Sequence, residues 1–297
     1  MNARTVFLTD AGALRPLWRV VLFLALLLPC WFVAALALGP LFTKLFWFVG
    51  LPTLSNETWV GAATLIGATV VSVKLIDRRP WSDFWLGADA ARPRHFIDGF
   101  VIGAAAIAVP IVVLVAAGWL DLVPADAATS WGGAALRVSL FLLPAALSEE
   151  LGTRGYLFTV LREKWGWKTT LVVTSVGFGL LHLQNAGANV VSITLVTLAG
   201  LFLGGVLVAT RSLYAAWMAH FAWNWTMAVL FHTAVSGIPL ETPGYRYVDA
   251  GPDWATGGGW GPEGGIPAAL GMGAGAGAAF LLARRRARRN TAEALSG

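Results

Sequence analysis

Long apolar runs with almost no charged residue recur along the whole chain. They lie at residues 20–38, 58–76, 99–119, 138–160, 169–186, 190–209, 212–235 and 266–283. Each is near the roughly 20 residues that a helix needs to cross a bilayer, and a helix satisfies its own backbone hydrogen bonds there. The pattern therefore predicts an all-α fold, a polytopic membrane helix bundle with about eight transmembrane helices.

The composition supports the same class of protein. Hydrophobic residues make up 57% of the 297 residues and charged residues only 12%, whereas soluble proteins carry about 25% charged residues. Eight spans with their loops leave no room for a separate soluble domain. The formal charge of +5 comes from basic residues beside apolar runs and not from an aromatic-interleaved patch. We therefore expect the lipid bilayer, and no nucleic acid, as a partner.

Two segments near the N-terminus need separate interpretation. The apolar run at 20–38 is longer than the core of a signal peptide, so we predict a retained helix. The run at 41–51 contains Lys44 and is too short to span a bilayer. It is either re-entrant or interfacial, and the sequence does not decide between the two.

Basic and acidic residues alternate between successive loops. The basic residues follow the second, fourth, sixth and eighth runs, at Lys74, Arg78, Arg79, Arg92, Arg94, Arg162, Lys164, Lys168, Arg211, Arg284, Arg285, Arg286, Arg288 and Arg289. The acidic residues of the other loops are Asp121, Asp126, Glu241, Asp249, Asp253 and Glu263. Because cytoplasmic loops carry an excess of Lys and Arg, the pattern predicts a multi-pass protein of a plasma or inner membrane with both termini cytoplasmic.

Ionisable residues inside the predicted spans are few. Burying one at bilayer depth costs about 2.5–3.5 kcal/mol on insertion scales, so such a group faces a cavity or a partner. In the fourth run Glu149 and Glu150 are adjacent, and Arg154 follows four residues after Glu150. Glu150 and Arg154 share a helix face, whereas Glu149 points about 100° away. One carboxylate is thus predicted to be structural and the other to be available for chemistry.

Two later runs each carry a pair of residues at helical spacing. The fifth run contains Phe178 and His182, and the seventh contains His220 and Asn224. Residues four apart lie on one helix face, so three helices could bring these groups and Glu149 to one site. A single membrane histidine is ordinarily a hydrogen-bonding residue between helices, but the combination favours catalysis.

The same buried groups permit interpretations from other functional classes. A transporter or ion-coupled membrane protein could use the Glu and His side chains to relay protons or bind an ion. The sequence has no inverted repeat that would support this hypothesis. A non-catalytic, immunity-type membrane scaffold is the third interpretation, and the presence of every catalytic-type residue argues against it.

The three motifs together resemble those of the membrane-bound CAAX-type proteases and bacteriocin-processing enzymes, the CPBP or Abi family of intramembrane proteases. The family pattern EExxxR, FxxxH and HxxxN corresponds here to Glu149-Glu150 to Arg154, Phe178 to His182, and His220 to Asn224. The resemblance implies a CAAX-protease-like catalytic core at 95–235. N-terminal membrane helices and an interfacial segment would form 1–94, and an outer loop, the last transmembrane helix and a basic tail would form 236–297.

The resemblance implies an intramembrane endopeptidase that acts on a peptide or protein presented at the membrane. Glu149 and His182 would activate a water as general bases. His220 and Asn224 would donate hydrogen bonds to the tetrahedral oxyanion, a contribution of about 3–4 kcal/mol per well-placed donor. The supporting residues would be Glu150, Arg154 and Phe178.

The candidate residues are compatible with either a zinc-dependent or a metal-free mechanism. Catalytic zinc usually takes three protein ligands and a water, and Glu149, His182 and His220 could provide them. The sequence has no HExxH helix, however, and giving both histidines to zinc leaves Asn224 as the only obvious oxyanion donor. We therefore favour a metal-free, glutamate-dependent hydrolase, with zinc as the second choice.

Overall fold

The structure is a computed structural model of the 297-residue chain. It describes residues 6–10, 12–48, 53–125, 130–240 and 244–296, and of residues 53–54 and 289–296 it describes the backbone alone. Asp126, Glu241 and the end of the run at 41–51 lie outside the described residues.

Helices form most of the described chain. In order they are α1 (Pro16–Ala37), α2 (Gly39–Phe48), α3 (Thr53–Val71), α4 (Pro93–Ala116), α5 (Trp131–Arg154), α6 (Tyr156–Leu181), α7 (Val190–Thr210), α8 (Leu213–Trp225), α9 (Asp253–Thr256) and α10 (Ile266–Ser296). Turns of π-helix extend α3 over Ser72–Ile76 and α8 over Thr226–Leu230. Single 3-10 turns cover Trp81–Phe84, Gly258–Trp260 and Pro262–Gly264.

Six helical stretches of the described chain are long and apolar enough to cross a membrane. They are Pro16–Ala37, Ser55–Ile76, Pro93–Ala116, Trp131–Leu181, Val190–Thr210 and Ile266–Arg288. The fourth has 51 residues and contains two of the predicted spans, in α5 and α6. The predicted span at 212–235 is α8, which has only 13 residues before its π-helical turn. The all-α membrane bundle is confirmed, and the predicted number of eight spans is approximate.

The outer faces of the helices are strongly apolar. Leu36 of α1 is 78% exposed, Phe48 of α2 is 83% exposed and Leu270 of α10 is 74% exposed. Many other large apolar side chains of the helices are exposed as well, which suits contact with lipid tails. The exposed side chains therefore agree with a multi-pass integral membrane protein.

The connection between the fourth and fifth predicted spans differs from the sequence prediction. α5 ends at Arg154, and a Cβ added at Gly155 would lie 2.5 Å from the Leu151 carbonyl oxygen, so glycine permits the break there. The basic stretch 162–168 was predicted as a loop, but it lies inside α6 and is interrupted only at Gly166, which has φ 72°. The predicted connection within 162–168 is therefore present, but it is a break at one glycine with helix on both sides and not a loop.

A pair of short strands joins two of the acidic loops. β1 (Leu120–Pro124) is antiparallel to β2 (Tyr245–Asp249), with Leu120 opposite Asp249. No strand was predicted from the sequence. Because the two segments are hydrogen-bonded, the loop after α4 and the segment before α10 lie at the same end of their unit, in agreement with the charge pattern.

The chain divides into two compact units. Unit 1 comprises residues 1–89 and 140–174, and unit 2 comprises 90–139 and 175–297. The helices α5 and α6 each contribute residues to both units. The sequence-based division into a catalytic core and two flanking parts rests on the family resemblance and stays a prediction.

Unit 1 has an aromatic core with charged groups at one end. The rings of Phe23 and Tyr156 stack with centroids 5.2 Å apart, and both side chains are fully buried. Beside them Arg19 donates hydrogen bonds to Asp77 and, at 2.6 Å, to Glu163. This ion cluster ties the beginning of α1 to the end of the α3 segment and to α6.

Unit 2 depends on glycine for close helix packing. A Cβ at Gly99 of α4 would lie 2.2 Å from the carbonyl oxygen of Ala215 in α8, and one at Gly103 would lie 2.0 Å from that of Ala219. No side chain fits, so the two helices touch through their backbones. Gly200 of α7 also packs on α6 in this unit, since a Cβ there would lie 2.9 Å from the Cα of Ser175.

Candidate active site

Glu150 and Arg154 form a buried ion pair near the end of α5. Arg154 Nη1 lies 2.6 Å from Glu150 Oε1, and the two side chains are 1% and 0% exposed. Their spacing of four residues places them on one helix face, as predicted. A pair so fully desolvated must be kept intact, because removing one partner leaves an uncompensated charge.

Glu149 occupies a different environment from its neighbour. It is half-buried whereas Glu150 is fully buried, and its carbonyl oxygen accepts a hydrogen bond of 2.6 Å from the Thr153 hydroxyl. Successive residues of a helix point about 100° apart, which explains how adjacent carboxylates differ in burial. Unit 1 thus carries one glutamate paired with Arg154 and one on another face.

His182 lies just after the end of α6 in unit 2. Its Nδ1 is 2.8 Å from the carbonyl oxygen of Phe178, one turn earlier, and the two rings are 4.9 Å apart between centroids. Gly179 has no room for a side chain, since a Cβ there would lie 2.2 Å from the Thr197 hydroxyl of α7. The FxxxH motif therefore fixes the imidazole by a backbone contact and an aromatic one.

His220 and Asn224 lie one turn apart on α8. The helix is capped by Ser212, whose hydroxyl accepts from Ala215 N at 3.2 Å. His220 is 6% exposed, and its ring meets the ring of Phe178 edge to face with 5.8 Å between centroids. Phe178 thus contacts the histidines of both motifs.

A small cavity in unit 2 collects these groups. It has a volume of about 20 Å³ and is lined by both histidines, Asn224, Ser236 and Glu263. The apolar part of its wall consists of Phe178, Val196, Ala199, Phe202, Leu203 and Trp223. The structure therefore brings His182, His220 and Asn224 together, as the i, i+4 spacing and the convergence of helices suggested.

The four predicted catalytic residues are divided between the units. Glu149 belongs to unit 1, and His182, His220 and Asn224 belong to unit 2. Their union in a single site stays a prediction. So do the catalytic roles assigned to them.

Glu263 was missed as a site residue by the sequence analysis. The sequence places it in an acidic loop, where it counts as one topology marker among several. In the structure it lines the cavity and is only 6% exposed. The sequence signal is weak: an acidic residue inside the Gly-rich stretch 257–265, immediately before the last apolar run.

Metal ligands need three suitable side chains within bonding distance of one point. Considered within each unit separately, the described residues contain no group of three His, Cys, Asp or Glu side chains arranged to hold a metal ion. The zinc ligands considered from the sequence, Glu149, His182 and His220, come from both units. Zinc at these residues stays the second alternative.

The comparisons with known proteins add one family match. Residues 131–226 match the family model described as type II CAAX prenyl endopeptidase Rce1-like. The matched segment contains all three motifs. No significant match is found among curated proteins or among solved structures.

Proposed function

We propose that the chain is an intramembrane endopeptidase in which Glu149 and His182 activate water, and the similarity of residues 131–226 to the type II CAAX prenyl endopeptidase Rce1-like family model supports the proposal. The observation that carries the proposal is the cavity of unit 2. Groups separated by about 40 residues in the sequence, His182 on one side and His220 with Asn224 on the other, line the same small space.

The cavity has the size and polarity to hold a single water. A polar site of about 10–15 Å³ or more holds one water if two to four polar groups surround it, and this cavity has about 20 Å³. Five of its lining residues carry polar side chains. A water held there is the nucleophile of the proposed reaction.

The hydrogen bond to His182 defines which ring nitrogen can act as a base. Nδ1 lies 2.8 Å from the Phe178 carbonyl oxygen, which can only accept. In the neutral ring the proton is therefore assigned to Nδ1, and Nε2 carries the lone pair. That lone pair is what a general base needs to take a proton from water.

In the proposed reaction the water oxygen attacks the carbonyl carbon of the substrate peptide bond. One proton of the water passes to the Glu149 carboxylate while His182 accepts a hydrogen bond from the water, and His220 and Asn224 donate hydrogen bonds to the oxyanion. The same proton is then delivered to the leaving nitrogen. The C–N bond breaks, and the products are a carboxylic acid and an amine.

The direct test is cleavage of a membrane-presented peptide library by the purified protein. The wild type should cleave some members, and a Glu149→Gln variant should not, because an amide cannot accept the water proton. Gln keeps the shape of the side chain, so folding is preserved. The proposal fails if no peptide is cleaved, or if both proteins give the same products at the same rate.

The metal-free mechanism is tested separately from the peptidase activity. Active enzyme is analysed for bound metal and assayed after prolonged chelation. We expect no stoichiometric metal and an undiminished rate. Near-stoichiometric zinc, with activity lost on its removal and restored by adding it back, would replace the metal-free mechanism by zinc hydrolysis at Glu149, His182 and His220.

The proposed orientation places the basic loops and both termini in the cytoplasm. Reporters fused after Arg94, Lys168 or Arg289 should therefore report the cytoplasm, and a reporter near Asp253 should report the opposite side. A cytoplasmic reporter near Asp253 would contradict this orientation.

A further inference from the structure

A second buried carboxylate, Glu263, shares the cavity with the histidine motifs. It lies in the 3-10 turn Pro262–Gly264, immediately before α10, and outside the segment that matches the family model. Carboxylates are almost never buried to this degree unless their oxygens have hydrogen-bond partners. The partners of Glu263 therefore indicate what its burial achieves.

Three donors converge on the Glu263 carboxylate. Trp223 Nε1 donates to Oε2 at 2.9 Å, and the Ser236 amide and hydroxyl donate to Oε1 at 2.7 and 2.6 Å. An ionised carboxylate is a pure acceptor with room for all three. Glutamine could not replace it without loss, because its NH₂ group would face either the indole or the serine donors.

The residues held by Glu263 belong to the wall of the cavity. Trp223 lies on α8 between His220 and Asn224, and Ser236 itself lines the cavity. On its other side the Ser236 carbonyl accepts from Asn185 Nδ2 at 3.0 Å, three residues after His182. Glu263 thus connects the helix of the HxxxN motif, through Ser236, to the segment that follows the FxxxH motif.

The backbone at Ser236 has an intrinsically unfavourable conformation. Its φ is 49°, in the left-handed region that disfavours a residue with a side chain. Such a conformation costs on the order of 1–3 kcal/mol and persists only where surrounding contacts enforce it. Here both hydrogen-bond donors of Ser236 are bound to Glu263.

The segment around the carboxylate is packed too closely to shift. Gly237 has φ 78°, and a Cβ there would lie 2.1 Å from the Ala186 carbonyl oxygen. Gly261 has φ 101°, and its Cβ would lie 2.2 Å from the Ala234 carbonyl oxygen. Glycine at position 237 lets the Ser236 segment pack directly on the loop after His182, and glycine at position 261 lets the turn of Glu263 pack on the segment before Ser236.

We propose that Glu263 is a positioning residue for peptide-bond hydrolysis. By accepting from Trp223 and Ser236 it sets the HxxxN helix against the His182 segment and closes the cavity around the reacting water. The inference rests on the proposed function, because only a reaction at His182 and His220 depends on that geometry. A misplacement of about 1 Å at a reacting centre lowers the rate by about 100-fold.

The test compares kcat and KM per folded molecule for the wild type, Glu263→Gln, Trp223→Phe and the double variant. Asp253→Asn is the matched control, since Asp253 is an exposed carboxylate of the same outer segment. We expect Glu263→Gln to lower kcat about 10- to 100-fold with KM changed less than about threefold. The double variant should lose less activity than the product of the two single losses, because both changes act on one hydrogen-bond network. Asp253→Asn should keep the wild-type values.

Several outcomes would overturn the positioning role. Wild-type kcat in Glu263→Gln, or an equal loss in Asp253→Asn, would show that the carboxylate does not act through the cavity. If Glu263→Gln does not reach the membrane, Ser236→Ala and Trp223→Phe each remove a single donor and leave the carboxylate. Wild-type kcat in both would then contradict the proposal.

Loss of activity in His220→Ala together with wild-type kcat in Glu263→Gln would refute this inference alone, whereas full activity in His220→Ala would refute the proposed function.

Discussion

The two units bury a carboxylate in contrasting ways. In unit 1 Glu150 is paired with Arg154, a full charge on the same helix one turn away. In unit 2 Glu263 is held by neutral donors, Trp223 and Ser236, that come from sequence positions 40 and 27 residues distant. The first arrangement is complete within a single helix, and the second exists only when three segments are assembled.

This difference indicates what each carboxylate does. A local ion pair compensates the charge of one helix in an apolar environment, which is a contribution to folding. A carboxylate that joins separate segments around the histidine cavity defines the geometry of a site. We therefore expect changes at Glu150 and Arg154 in unit 1 to lower the amount of protein that accumulates in the membrane. Changes around the cavity of unit 2 should instead lower the rate of peptide cleavage.

The largest effect is expected at Glu149, the half-buried neighbour of Glu150. Glu149→Ala removes the proposed base and should lower peptidase activity by about 100-fold or more. The protein should still accumulate in the membrane, because Glu149 is not part of the ion pair. Activity is measured at equal amounts of folded protein, and an unchanged rate would remove Glu149 from the mechanism.

Arg154→Ala should have the opposite signature. It leaves the Glu150 carboxylate buried without its cation, which typically costs about 3–5 kcal/mol. We expect low accumulation and a reduced unfolding temperature. Replacing both residues by Leu should recover much of the loss, since the uncompensated charge is then absent. If Arg154→Ala accumulates normally but is inactive, the Glu150–Arg154 pair takes part in catalysis. The proposed difference between a folding role in unit 1 and a positioning role in unit 2 would then be wrong.

A moderate effect is expected where α4 meets α8. Gly103→Ala places a methyl group 2.0 Å from the Ala219 carbonyl oxygen, next to His220. We expect the two helices to separate and the unfolding temperature to fall by several degrees. Gly177→Ala is the control, because a Cβ there meets nothing within 4 Å and should be neutral or slightly stabilising. Equal unfolding temperatures for the two variants would contradict the close packing.

The smallest effect is expected at the ion pair between Asp98 and Arg286. Arg286 is 37% exposed, so water and salt screen its attraction to Asp98. Asp98→Asn should lower the free energy of unfolding by no more than about 1 kcal/mol. The free energy of unfolding of the wild type and of Asp98→Asn, measured at low and at high salt, gives the contribution of this ion pair. A loss of stability as large as that of Arg154→Ala would mean that solvent exposure does not explain the different contributions of the two ion pairs.

The parts of the fold that depend on short-range patterns could be predicted from the sequence. Apolar runs indicated the membrane helices, and the spacing of four residues indicated the Glu150–Arg154 pair and the shared faces of the two histidine motifs. Helix boundaries were harder, because the basic stretch 162–168 continues as helix up to and beyond Gly166. Such a boundary is decided by one glycine conformation and not by hydrophobicity.

Features that depend on distant residues could not be predicted from the sequence. The pairing of β1 with β2 joins segments more than 100 residues apart, and neither segment has a strong strand pattern. Glu263 shows the same limitation at the candidate site, since its donors Trp223 and Ser236 have no fixed spacing from it. The sequence indicated the motif residues of the candidate site but not the segment with Glu263 that completes the wall of the cavity.

The central claim is that the cavity of His182 and His220 is the place of peptide-bond hydrolysis. The most direct measurement is the cleavage rate of a membrane-presented peptide by purified His182→Ala and His220→Ala, at the same amount of folded protein as the wild type. The account predicts that each variant loses about two orders of magnitude or more. A wild-type rate in either variant would contradict it.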